Sequence, residues 1–127
     1  MFLARLNALS DLVRHCVYTT QDEEIEPQQA LDLFHALLME TKEAKGQVYL
    51  IGNGGSSAIA SHFCTDILNN LEIAAFVFTD ASLLTCMSND YGYEGVFSLP
   101  LKTVVREKDL LIAISSSGES QIGRAHV

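Results

Sequence analysis

The sequence from residue 48 to residue 57 reads Val48-Tyr49-Leu50-Ile51-Gly52-Asn53-Gly54-Gly55-Ser56-Ser57. Its first four residues predict a buried strand, and the glycine-rich turn after them leads into a segment that suits a helix from Ser57. Glycines let a ligand approach the main chain, and a helix start offers unpaired NH groups and the positive end of its dipole. This order of elements predicts a phosphate-binding turn.

Two known phosphate-binding motifs differ in how well they match this turn. The lysine-containing P-loop is excluded, because no Gly-Lys-Ser/Thr follows the glycines. The dinucleotide fingerprint matches Gly52 and Gly54 but has Ser57 in place of its third glycine, and Asp80 ends the next strand-like run, where an acid would contact a ribose. Since a plain tight connection has a similar composition, the turn alone leaves these alternatives open.

Composition limits the class of protein and its partners. With 127 residues, 48% of them hydrophobic, the chain is long enough for one small α/β domain. A net charge of −8 predicts that nucleic acid and anionic membranes are not partners. The widely spaced Cys16, Cys64 and Cys86 fit reduced thiols, and no signal peptide or membrane-length apolar run is recognised. We therefore expect a cytoplasmic protein.

Residues 1–46 predict an N-terminal pair of helices. Apolar residues recur every three or four positions over 2–17, which is typical of one amphipathic helix. Pro27 suits the first turn of a second helix that ends near Gly46, and the polar, acidic stretch 19–26 separates the two. The apolar stripes are expected to pack against the sheet or against a second subunit, and we prefer the second interpretation.

Residues 47–120 alternate between strand and helix signals. The predicted strands are 47–51, 73–78 and 109–115, and the predicted helices are 57–70, a short turn at 82–87, and 94–106. This alternation predicts an α/β fold with a doubly wound parallel sheet, flavodoxin-like and three-layered, of which only the first half is present. Ligands of such sheets bind beyond the carboxyl ends of the strands.

A run of serines follows the third strand at that edge of the sheet. The hydroxyl groups of Ser115, Ser116, Ser117 and Ser120, with nearby NH groups, can hold an anion without adding charge. A serine-rich turn with a helix cap is the plain alternative. Because the glycine turn lies at the same edge, the two loops together favour a phosphorylated ligand.

Two further pairs of residues are candidates for chemistry. His62 and Asp66 are four residues apart, so they share one helix face, where they suit a divalent metal, an acid/base pair or an ordinary solvated pair. Asn89 and Asp90 fall in a predicted loop that contains Gly92, which indicates either contact with sugar hydroxyls or turn chemistry.

Several of these stretches resemble one family in order and spacing. They are Gly52-Asn53-Gly54-Gly55-Ser56, His62-Phe63, Thr85-Cys86-Met87-Ser88-Asn89-Asp90-Tyr91-Gly92-Tyr93 and Ile114-Ser115-Ser116-Ser117-Gly118-Glu119-Ser120. The chain resembles the sugar isomerase (SIS) domain family, and within it the phosphoheptose isomerase branch, up to about Ser120.

The resemblance implies a fold, an activity and a site. It implies an SIS-fold isomerase that converts sedoheptulose 7-phosphate to a D-glycero-D-manno-heptose phosphate for lipopolysaccharide or capsule synthesis. Such isomerases are usually homotetramers with sites between subunits. The resemblance implies that the phosphosugar contacts Asn53, Gly54, Gly55, Ser56, Asn89, Asp90, Ser115, Ser116, Ser117 and Ser120.

The same resemblance implies a metal site with one departure from the family. His62 falls on a zinc ligand, and Asp66 falls where the family has a glutamate that is both metal ligand and catalytic base. The missing methylene withdraws the carboxylate by roughly an ångström, and a misplacement of that size can cost about 100-fold in rate. The family's remaining catalytic histidine and glutamine ligand would lie beyond Val127.

The end of the chain differs from the family. Residues 122–127, Ile122-Gly123-Arg124-Ala125-His126-Val127, are what the codons ATC GGA AGA GCA CAC GTC encode, and these codons resemble a common sequencing adapter. We therefore expect 121–127 to be a non-native tail on a C-terminally truncated partial SIS domain, 47–120, that is inactive by itself. The alternatives are a non-catalytic SIS domain, which senses a sugar phosphate or binds a protein, and a dinucleotide-binding domain that uses Asp80.

Overall fold

The computed structural model describes residues 1–21, 23–120 and 122. The chain divides into two compact units, Met1–Leu37 and a second that begins at Leu38. Among the described residues, no helix combines the length and the apolar character needed to cross a membrane.

The first unit contains the two predicted helices and a hairpin that was not predicted. Helix α1 covers Phe2–Arg14, and helix α2, Pro27–Glu43, begins in this unit and ends in the second. Between them, β1 (Tyr18–Thr20) pairs antiparallel with β2 (Glu23–Ile25). No strand was predicted in the polar, acidic stretch 19–26, but Tyr18 and Ile25 face each other in register and are partly buried, which favours the hairpin.

The second unit is an α/β fold with a three-stranded parallel sheet in the order β4-β3-β5, as the alternating pattern predicts. The strands are β3 (Val48–Gly52), β4 (Ala75–Val77) and β5 (Leu110–Ile114). The helices are α3 (Gly55–Asp66), a π-helical turn (Ile67–Leu71), α4 (Ala81–Tyr91) and α5 (Gly95–Val104).

Strand β3 is the centre of the sheet because both of its faces are covered. Its alternate side chains point to opposite faces, so Val48 and Leu50 belong to one buried cluster and Tyr49 and Ile51 to another. The first cluster includes residues of α3, and the second includes residues of α5. The result is the predicted arrangement of helix, sheet and helix.

Asp109 holds together the amino ends of β3 and β5 and so aligns their carboxyl ends. Its carboxylate accepts one hydrogen bond from the backbone N–H of Gln47 and one from that of Arg106, each at 2.8 Å. Strands β3 and β5 then pair in parallel register as far as Gly52 and Ile114. The glycine turn and the serine loop therefore leave the sheet side by side.

The predicted loop is wrong for residues 88–91, because α4 continues to Tyr91 and includes Asn89 and Asp90, whereas Gly92 and Tyr93 follow the helix. Asp80 caps the helix by accepting a hydrogen bond from the N–H of Leu83 at 3.0 Å, and Gly92 ends it with φ of 82°. Turn-forming residues lie in the last turns of α4, but Leu84 and Met87 pack on the second cluster and keep the segment helical.

Two other differences concern element ends and the predicted tail. Helix α3 begins at Gly55, two residues before the predicted start, and the remaining predicted helix is the π-helical turn. Of the predicted tail, Ile122 is buried in the second cluster, while Gln121 and residues 123–127 lie outside the described residues.

Candidate functional site

A cavity of about 190 Å³ lies at the carboxyl ends of β3 and β5. The chain places β4 on one side of β3 and then β5 on the other side of β3, so the strand order reverses here. Ligands of doubly wound sheets bind at such a point. The cavity is lined by Ile51, Gly52, Asn53, Ser56, Phe97, Ala113, Ile114, Ser115, Ser116, Ser117, Ser120 and Ile122.

The glycine turn forms one wall, and two of its glycines have a structural requirement. A Cβ atom at Gly52 would lie 2.5 Å from the carbonyl oxygen of Ser56, and Gly54 has φ of +58°. The turn uses two helix-start amides itself, because the N–H of Ser56 donates to the Asn53 carbonyl and that of Ser57 to the Gly54 carbonyl, each at 3.1 Å. Gly54 and Gly55 do not line the described cavity.

The serine loop forms the opposite wall with oriented hydroxyl groups. The Oγ of Ser115 accepts a hydrogen bond from the N–H of Gly118 at 3.0 Å, and the Oγ of Ser117 accepts one from the N–H of Glu119 at 3.2 Å. A hydroxyl has one hydrogen to donate and two lone pairs. Each of these serines therefore keeps its own O–H to donate to a ligand oxygen.

The cavity combines neutral polar walls with an apolar floor. None of the described residues that line it has a charged side chain, so an anion held there is bound by neutral donors. The floor consists of Ile51, Phe97 and Ile122, which all belong to the second buried cluster. Phe97 and Ile122 were not predicted, because only the tertiary packing brings them there.

Tyr93 was also missed by sequence reasoning and contacts the glycine turn. Its hydroxyl donates to the Oδ1 atom of Asn53 at 2.6 Å. A second groove, of about 560 Å³, is lined by Asn53, Gly92, Tyr93, Glu94, Ser120 and Ile122. Asn53 thus lies at the junction of this groove and the first cavity.

His62 and Asp66 lie in a groove of their own. The Nε2 atom of His62 is 3.8 Å from the Oδ2 atom of Asp66, and their side chains are 81% and 49% exposed. Ala58, Ile59 and Phe63 complete this groove, which shares no described lining residue with the cavity at the strand ends. The chain therefore brings the two loops together but leaves the carboxylate apart from them.

The donor pair fits part of a zinc site. Bonds of about 2.0–2.2 Å in tetrahedral geometry place two ligand atoms roughly 3.3–3.6 Å apart, close to the observed separation. Within the part of the chain that the structure describes, no cluster of three or more His, Cys, Asp or Glu side chains could hold a metal ion. His62 and Asp66 can therefore supply two ligands, and others are required.

Asn89 and Asp90 interact mainly with their own helix. The Nδ2 of Asn89 donates to Asp90 at 2.8 Å, and the Sγ of Cys86 donates to Asp90 at 3.5 Å. This hydrogen bond and the negative charge of Asp90 raise the pKa of the Cys86 thiol. Neither residue lines the three cavities described above. Their contact with a sugar stays a prediction.

The comparisons with known proteins agree with this geometry. The family model described as "SIS domain" matches residues 8–123, which is most of the chain. The chain belongs to the SIS domain family. Asp80, the acid required by the dinucleotide alternative, caps α4 and so already has a structural role.

Curated relatives of this SIS domain are named phosphoheptose isomerase. The chain is 39% identical over 100 residues to one from Helicobacter pylori strain ATCC 700392 / 26695, which covers 74% of the chain and 52% of that protein. It is 31% identical over 118 residues to one from Citrifermentans bemidjiense, which covers 87% of the chain and 60% of that protein. The chain spans about half the length of the curated relatives it matches.

Solved structures show the same fold. The structure of phosphoheptose isomerase GmhA from Neisseria gonorrhoeae matches with a TM-score of 0.71 at 29% identity and covers 99% of this chain and 67% of that one. A phosphoheptose isomerase from Francisella tularensis matches with a TM-score of 0.75 at 24% identity and covers 99% of this chain and 68% of that one. The second likeness supports the fold alone.

Proposed function

We propose that this chain binds the phosphoryl group of a sugar phosphate and serves a phosphoheptose isomerase, which converts sedoheptulose 7-phosphate to a D-glycero-D-manno-heptose phosphate. One observation carries the proposal: the glycine turn and the serine loop line a single uncharged cavity at the switch point of the sheet. The names of the relatives support the same reaction. Heptose synthesis is the corresponding metabolic role.

The cavity binds phosphate by donating hydrogen bonds to it. The hydroxyls of Ser115 and Ser117 and the amide of Asn53 face a common space, and hydrogen bonds to charged groups contribute about 1.5–3 kcal/mol each. The net charge of −8 repels anions elsewhere, so binding depends on these local donors. For the same reason we propose that nucleic acid is not a partner.

The reaction needs a base in addition to the binding site. Interconversion of ketose and aldose removes a proton from the carbon beside the carbonyl, forms an enediolate and returns the proton to the former carbonyl carbon, while the hydroxyl proton passes from one oxygen to the other. Asp66 is the proposed base, since its half-exposed carboxylate can accept that proton. A divalent metal, zinc by the resemblance, would be held by His62, Asp66 and further ligands, and when bound it supplies positive charge that stabilises the enediolate.

The separation of the two parts supports an oligomer. Within this chain Asp66 lies in a different groove from the proposed phosphate cavity. An active site shared between subunits would bring such parts together, so we propose a homo-oligomer, a tetramer by the resemblance. Cys16, Cys64 and Cys86 are free in the described chain, which supports the proposal of a reducing, cytoplasmic location.

A panel of phosphorylated ketoses and aldoses tests the function. The gene extended past Gln121 to the length of the relatives should isomerise sedoheptulose 7-phosphate, and a chelator should abolish turnover. Asp66→Ala should remove turnover while sugar phosphate still binds. Turnover that persists in Asp66→Ala would show that the assigned base is wrong.

A non-catalytic sugar phosphate sensor is the second candidate. Two observations favour it. The described residues supply only two candidate metal ligands, His62 and Asp66, and Asp66 is an aspartate at the position where the family has a glutamate. The two candidates differ in one result. A sensor binds the phosphosugar but never converts it at any metal concentration, whereas the isomerase does both.

A further inference from the structure

The contact between Tyr93 and Asn53 joins two distant segments of the second unit. Tyr93 lies in the turn between α4 and α5, and Asn53 lies in the glycine turn 40 residues earlier. Their oxygen atoms are 2.6 Å apart, at the short end of the range for O–H···O hydrogen bonds. Tyr93 is about half exposed, so its ring is not held there by complete burial.

The direction of this hydrogen bond determines what Asn53 offers to a ligand. An asparagine amide has one end that accepts and one that donates, and the two ends differ by a rotation of the side chain. The tyrosine hydroxyl donates to Oδ1 and so occupies the accepting end. The Nδ2 group remains available to donate. The opposite rotamer would direct the carbonyl oxygen toward an anion and repel it.

Asn53 occupies the position where this choice matters. It lines the cavity at the strand ends together with the serine loop, and it also lines the second groove together with Tyr93 and Glu94. A phosphorylated sugar whose phosphoryl group lies in the first space and whose hydroxyl-bearing chain enters the second must pass Asn53. The orientation of one amide therefore affects the whole ligand.

We propose that Tyr93 is a positioning residue for phosphosugar binding, which holds the Asn53 amide so that its Nδ2 group donates to the ligand. This assignment rests on the proposed function, because it requires an anionic ligand in the cavity. The tyrosine acts through Asn53 and does not itself react. Tyr93→Phe would keep the ring and lose the hydrogen bond that orients the Asn53 amide.

The test measures the affinity of the 127-residue chain for inorganic phosphate and for sedoheptulose 7-phosphate by calorimetry. Tyr93→Phe should weaken both by about 3- to 10-fold, the loss expected for one hydrogen bond. The same substitution in an Asn53→Ala background should have no further effect, because the residue through which it acts is gone. Tyr91→Phe, which removes a hydroxyl from another exposed tyrosine nearby, is the matched control and should leave affinity unchanged.

Three results would overturn the assignment while the unchanged chain binds phosphate normally. They are equal affinity of Tyr93→Phe and the unchanged chain, an equal loss with and without Asn53, and an equal loss in Tyr91→Phe. If the unchanged chain binds neither ligand, both the proposed function and the role of Tyr93 are wrong. The proposed function can therefore stand when the assignment fails.

Discussion

The cavity at the strand ends and the groove around His62 differ in how they are built. The cavity is formed by the glycine turn and the serine loop, and hydrogen bonds within the serine loop fix the hydroxyls of Ser115 and Ser117. The floor of the cavity belongs to the buried core. The groove has two exposed side chains on one face of α3, with 3.8 Å between their nearest polar atoms. The proposed phosphate site thus lies within this chain, whereas metal chemistry needs groups that the described residues do not supply.

This difference has a physical cause in the cost of ordering side chains. Holding a flexible side chain in one rotamer costs conformational entropy. In the cavity the backbone of the serine loop already restricts Ser115 and Ser117. In the groove, His62 is 81% exposed and its single described polar neighbour is Asp66. We therefore expect the cavity to bind its ligand without help and the groove to bind metal weakly by itself.

The largest effect is expected from Gly52→Ala, which disrupts the wall of the cavity formed by the glycine turn. The new methyl group would lie 2.5 Å from the Ser56 carbonyl oxygen, and relief of such overpacking costs about 1–3 kcal/mol. We expect a lower free energy of unfolding in urea and loss of phosphate binding.

Gly55→Ala is the matched control for stability. A Cβ atom at Gly55 meets no atom within 4 Å, and the residue lies at the start of α3. Its free energy of unfolding should stay close to that of the unchanged chain. Equal destabilisation by both substitutions would show that close packing at Gly52 does not define the turn.

A smaller effect is expected from single side chains and separates the two regions directly. Ser117→Ala removes one hydroxyl donor from the cavity and should weaken phosphate binding about tenfold. His62→Ala removes a side chain from the groove and should leave phosphate affinity unchanged. Calorimetry on both variants measures this, and a tenfold loss in His62→Ala with none in Ser117→Ala would reverse the assignment.

The smallest effect is expected on the pH dependence of the free energy of unfolding, through Tyr49 in the second buried cluster. Burial and, to a lesser degree, the charge of Asp109 raise the pKa of Tyr49 above its ordinary value of 10.0. The folded protein then holds this proton more tightly than the unfolded chain. Its contribution to stability is complete below pH 10 and is lost as the pH rises through the folded-state pKa.

Tyr49→Phe provides the comparison for this pH dependence. The substitution also removes the hydrogen bond from Tyr49 to Gln47, so the variant is expected to be less stable at neutral pH. Its urea unfolding free energy should decline less than that of the unchanged chain between pH 9 and 11. Parallel curves would contradict the role of the buried phenol.

Local patterns predicted the parts of the site that depend on local chemistry. The glycine turn follows an apolar strand and the serine loop follows another, and parallel pairing brings their ends together. The helical position of Asn89 and Asp90 was missed, because packing of Leu84 outweighs the turn preference of the segment. The contact between Tyr93 and Asn53 joins positions 40 residues apart, and no periodicity in the sequence indicates it.

A titration of the ¹⁵N-labelled chain with sedoheptulose 7-phosphate, followed by nuclear magnetic resonance, tests whether the phosphate site lies within this chain. We expect saturable shifts of the backbone amides of Gly52, Asn53 and Ser115–Ser117, with little change at His62 and Asp66 in the absence of metal. Shifts confined to the groove of His62 and Asp66, or no saturable shift at the strand ends, would contradict the claim that this chain carries its own phosphate site.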